Sequence, residues 1–151
     1  MSAEVEAADQ RPVVDGASDL LDLCELSQIV AYSLNAERAQ NSIASAEEST
    51  RELSARSRFD GRHLEARFRI EVEGPGARYS ADVGAIYEVE KPIELTPRAT
   101  AEFMSKIGLM AVYPYLREAV TGLASRLGAP IPVIGILRLN EITFEAPGGH
   151  P

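Results

Sequence analysis

The chain has 151 residues, a net charge of -8 and one cysteine. That length fits a single domain able to bury a core of its own, and the acidic balance disfavours a nucleic-acid partner. One cysteine excludes an intrachain disulfide and a cysteine-rich metal site. No apolar run approaches the ~18 residues of a membrane span.

Residues 1–19 are rich in Ala, Glu, Asp and Pro and lack periodicity, which reads as a disordered acidic tail. No basic leader precedes an apolar stretch there, so no signal peptide is expected. The domain proper is placed at 20–145, with 146–151 a second tail. Leu23 to Leu34 reads as a strand, with Leu26, Val30, Tyr32 and Leu34 on one side and Ser27, Ala31 and Ser33 on the other. Residues 35–50 are a long polar excursion, with a loose helical turn around Ala44 to Glu48.

Glu52 to Asp60 alternates again, and Asp60-Gly61 signals a hairpin. His63 to Glu73 is the clearest strand. Leu64, Ala66, Phe68, Ile70 and Val72 form one face, and charged residues form the other. Gly74-Pro75-Gly76 turns the chain into Ala77 to Val89, and Lys91-Pro92 ends that strand. Four strands in meander order follow from this reading.

Thr96-Pro97 marks a helix start, with Thr as N-cap and Pro in the first turn. Apolar residues then recur at helical spacing to Leu127, with a kink or restart expected at Pro114, and Gly128 closes the helix. From Ile107 to Leu116 nearly every residue is apolar. Such a helix needs cover on two sides. One sheet supplies one side, so the other points to a subunit interface, with Ile107, Met110, Ala111, Tyr113 and Tyr115 as its candidate residues. The segment 131–144 is apolar and interrupted by Pro and Gly, either a short helix or an extended arm. The fold class is α+β: a four-stranded antiparallel sheet, a long kinked helix and an apolar C-terminal segment.

The run Val112-Tyr113-Pro114-Tyr115-Leu116-Arg117-Glu118, followed by Ser125-Arg126 and a Gly/Pro loop, resembles the SecB family of export chaperones. There an aromatic-Pro-Tyr-x-Arg-Glu run lies in a long helix and precedes a Ser-Arg or Gly-Arg turn. The motif rests on Tyr113, Pro114, Tyr115, Arg117, Glu118 and Arg126; the order of elements is similar from 23 to 144. The resemblance implies a cytoplasmic holdase without nucleotide, cofactor or metal. It implies a homotetramer built as a dimer of dimers, with unfolded polypeptides as clients, either preproteins or an antitoxin. It also implies a groove lined by Tyr32, Val133, Ile134, Ile136 and Leu137.

The chain departs from export members in lacking their long final helix, and its Leu-Gly-Ala-Pro-Ile-Pro run looks more like the SecB-like chaperones of toxin–antitoxin pairs. Delivery to the SecA translocase motor is what the export branch would imply, with Glu71, Glu73, Glu88 and Glu90 as the acidic surface that meets it.

Other residues read blandly. His63 sits on the wet face of its strand, His150 lies in the tail, and no metal-ligand spacing is visible. Cys24 has no basic neighbour in sequence to activate it. Arg56, Arg58, Arg62, Arg67 and Arg69 interleave with Glu65, Glu71 and Glu73 as a solvated, ion-paired face. Gly74-Pro75-Gly76 is a turn and no phosphate loop. No constellation of polar residues suggests an enzyme; a homo-oligomeric adaptor that binds one folded partner is the alternative to a chaperone.

Overall fold

The computed structural model describes residues 11–135 and 142–144. Strand β1 is Val13–Val14, helix α1 is Ala17–Leu23 and strand β2 is Cys24–Arg38. A 3-10 turn, Ala46–Glu48, leads into β3, Thr50–Phe59, then β4, His63–Gly74, and β5, Ala77–Val89. Strand β6, Glu94–Leu95, precedes α2, Pro97–Phe103. A π-helical turn, Met104–Gly108, joins it to α3, Leu109–Leu127, and β7 is Ile142–Phe144.

The main sheet has the order β2-β5-β4-β3-β7. Strands β3, β4 and β5 form the expected meander, but β2 pairs with β5 and not with β3. The meander order is therefore corrected for the first strand. The physical cause is the polar excursion 39–49, which is too long for a hairpin and long enough to cross two strands at about 4.8 Å each. It is tied down on the way. Asn41 Nδ2 donates to the Gly74 carbonyl at 2.7 Å, and Ala39 N donates to the Gly76 carbonyl at 3.0 Å. The fifth strand, β7, runs parallel to β3; of the segment 131–144, residues 131–135 are irregular and 142–144 are extended, and 136–141 lie outside the described residues.

Part of the expected N-terminal tail is also corrected. Val13–Val14 pairs in parallel with β6, and Val14, Ala17 and Leu20 are buried. Residues 1–10 of that tail and all of 146–151 lie outside the described residues.

The alternating apolar residues of β3, β4 and β5 make an inner face that α2 and α3 cover. Phe68, Phe103, Leu64, Ile70, Leu116, Val112 and Val120 are fully buried there, each worth roughly 1.5–3 kcal/mol. Tyr87 and Phe103 meet edge to face at 4.8 Å. Thr96 caps α2 as its sequence suggests, accepting from Ala99 N at 3.1 Å. The restart expected at Pro114 is absent. Helix α3 runs unbroken through it, and the irregular turn lies upstream, at Met104–Gly108. There the chain lies very close to the sheet: a Cβ on Gly108 would stand 2.7 Å from Ala66 Cβ.

Candidate functional site

Two register shifts decide where β2 points its side chains. They fall at Ser27 and Tyr32, where β2 has one more residue than β5. Each bulge reverses the alternation. Leu26, Ile29, Ala31 and Leu34 therefore pair with Tyr87, Ala85, Val83 and Ala81, all inner-face residues, while Val30 pairs with Gly84 on the outer face. The single-sided set Leu26, Val30, Tyr32, Leu34 is corrected accordingly.

Tyr32 lies on the outer face. Its hydroxyl donates to Glu65 Oε2, and the Arg67 guanidinium sits 3.8 Å from its ring centre. Arg67 in turn makes a two-pronged pair with buried Asp82, at 2.8 and 2.9 Å. Gly84 makes room: a Cβ there would lie 3.0 Å from Glu65 Oε2 and 3.1 Å from the Tyr32 ring. Partial burial, then the bond to Glu65, push the Tyr32 phenol above its ordinary range. Glu71, on the same face, pairs with Arg69 at 3.4 Å, and Glu73, Glu88 and Glu90 are exposed.

Of the residues expected to join Tyr32 in one groove, Val133 and Ile134 lie elsewhere. Pro132 packs on Gly74, whose added Cβ would stand 3.1 Å from it. Val133 N donates to the Ala46 carbonyl at 3.2 Å, and the Gly135 carbonyl accepts from the Tyr113 hydroxyl at 2.8 Å. This stretch therefore runs between α3 and the approach to β3, on the helix side of the sheet. Ile134 is buried in the core, whereas Ile131 and Val133 are exposed. Ile136 and Leu137 lie outside the described residues. Strand β7 continues the same line, with Leu53, Ser54 and Ala55 opposite Ile142, Thr143 and Phe144. Ile142 is buried and Phe144 is exposed.

Helix α3 turns Leu109, Val112, Leu116, Val120 and Ala124 to the sheet. Met110 is 73% exposed and Tyr115 46%; Ile107, Ala111 and Tyr113 are half-buried. Pro114, Arg117 and Glu118 line the outward side. Between α3 and β2 runs an apolar groove of about 460 Å³, lined by Ile29, Ala31, Leu34, Tyr115 and Leu123, with Arg126 at its edge. The outer edge of β2 has no strand partner among the described residues.

The structure thus splits the expected groove between an outer-face tyrosine and an apolar strip along β3, and adds an inner groove along β2 and α3. The inner groove was missed because its β2 wall depends on the bulges. The strip was only half seen: its signal was the alternation Ile142-Thr143-Phe144, too short to stand alone. Cys24 is half-buried, and burial raises its thiol pKa. Among the described residues no group of three or more His, Cys, Asp or Glu could hold a metal, and no helix is long and apolar enough to cross a membrane.

No family model matches the sequence. The chain is 32% identical over 134 residues to the SecB-like chaperone SmegB of Mycolicibacterium smegmatis, covering 89% of each chain. Its fold is similar to the Mycobacterium tuberculosis SecB-like chaperone Rv1957, solved in complex with a ChAD peptide from the Rv1956 HigA1 antitoxin. The TM-score is 0.67 at 19% identity, over 81% of this chain and 93% of that one.

Proposed function

Because the chain belongs to the family of SecB-like chaperones, we propose that it is an ATP-independent holdase that binds non-native polypeptides in the cytoplasm. The observation that carries this reading is the amount of large apolar surface left in water. Leu26, Leu34, Met110, Tyr115, Ile131, Val133 and Phe144 are each 46 to 73% exposed. Grouped apolar surface of this kind marks interaction sites.

We divide that surface between two tasks. The groove between β2 and α3, with Ile107, Met110, Ala111, Tyr113 and Tyr115, is assigned to self-association, as a homotetramer formed from two dimers. The unpaired β2 edge supports it, since an open edge invites a second strand. The strip of Ile131 and Val133 is assigned to the client. Ile134 is reassigned from groove to core by its burial, and Tyr32 is taken out of the groove by its position on the other, outer face. Arg117, Glu118 and Arg126 flank the association surface.

An antitoxin is the client class we favour over an exported preprotein, because the similar chaperone Rv1957 was solved with an antitoxin-derived peptide. Delivery to SecA through Glu71, Glu73, Glu88 and Glu90 is the export reading, and it has no such support. Val133→Ser is the direct test of the client surface. We expect assembly to be unchanged and affinity for a reduced, alkylated, permanently unfolded protein to fall by about 1–1.5 kcal/mol, roughly tenfold. Unchanged affinity would remove the strip from the client site. Binding of a folded partner alone would favour an adaptor.

A further inference from the structure

Strand β3 has 10 residues, and β7 covers 3 of them. The pairing is parallel and falls at Leu53, Ser54 and Ala55, so the edge from Arg56 to Phe59 has no strand partner among the described residues. Main-chain pairing at an edge accepts any extended chain, and the side-chain positions select among them. Here the selection is visible. Ile142 is opposite Leu53 and buried at 8%, Thr143 is opposite Ser54, and Phe144 is opposite Ala55 at 47% exposed. Beyond these positions come Arg56 and Arg58, neither with an ion pair among the described residues.

We propose that the β3 edge is the strand-addition site for the client, and that β7 is the chain's own occupant of it. The inference rests on the chaperone reading and gives it a site and a sequence preference. The client segment is extended and reads aliphatic, polar, aromatic, followed by acidic residues that meet Arg56 and Arg58. A short parallel strand is suited to being displaced, because parallel pairing is slightly less stable per residue and only three residues are paired. Occupation by β7 lowers apparent affinity by the fraction of molecules in which the edge is free. It also keeps an apolar edge covered when no client is present.

The test uses the full chain with reduced, alkylated α-lactalbumin as client. Hydrogen exchange is followed at Thr143 and Phe144, and affinity is compared with Ile142→Ser. We expect client binding to expose the β7 amides, and Ile142→Ser to tighten binding by about tenfold. Binding that leaves the β7 amides protected overturns the inference, as does unchanged or weaker affinity in a folded Ile142→Ser chain. If that variant does not fold, exchange in the unaltered chain decides. Failure of the unaltered chain to bind the client at all instead overturns the chaperone reading.

Discussion

Gly108 is the residue on which the helix–sheet contact turns. With a side chain it would press on Ala66, whose own Cβ is fixed to β4, so the helix or the strand must move. We expect Gly108→Ala to cost about 1–3 kcal/mol, read as a lower denaturant midpoint with unchanged slope. On the other face, Asp82 holds Arg67, and Arg67 holds Tyr32. Asp82→Asn keeps the shape but removes the charge, and we expect about 1–3 kcal/mol of lost stability, with easier hydrogen exchange in the strands around Tyr32. Neither role was legible in the sequence. Gly108 reads as one more small residue in an apolar run, and Asp82 as one polar residue on a wet face. Their meaning comes from what lies across the sheet.

At the scale of elements, β3, β4 and β5 were legible because each alternates strictly and the turns between them are short. Helix α2 was legible from Thr96 and Pro97. Strand β2 was recognised but faced wrongly, since two bulges interrupt a period that sequence alone shows as continuous. Helix α1 was lost in an acidic segment, although Ala17 and Leu20 share one helical face. Its start is held by Glu102, whose carboxylate accepts from Ala17 N at 3.3 Å. That bond, then the Arg98 side chain, lowers the Glu102 pKa from its ordinary 4.5. The contribution is thus fully present above the ordinary value and is lost as pH falls through the lower, folded one. We expect α1 amides to lose exchange protection as pH falls below that ordinary value, and Glu102→Gln to weaken that dependence. Because Val14 and Ala17 are core residues, deleting residues 1–19 should lower the thermal midpoint; an unchanged midpoint would show that β1 and the start of α1 add nothing.

At the scale of the whole molecule, the apolar run of α3 needs more cover than one sheet gives, and Met110 and Tyr115 are the residues left uncovered. Met110→Asp should break the assembly to dimers or monomers by sedimentation. An unchanged tetramer would move the interface elsewhere. The most direct measurement of the central claim is mass by light scattering, with and without reduced, alkylated α-lactalbumin. The account predicts a tetramer whose mass rises by bound client without nucleotide. A monomer that leaves the unfolded protein free would contradict it.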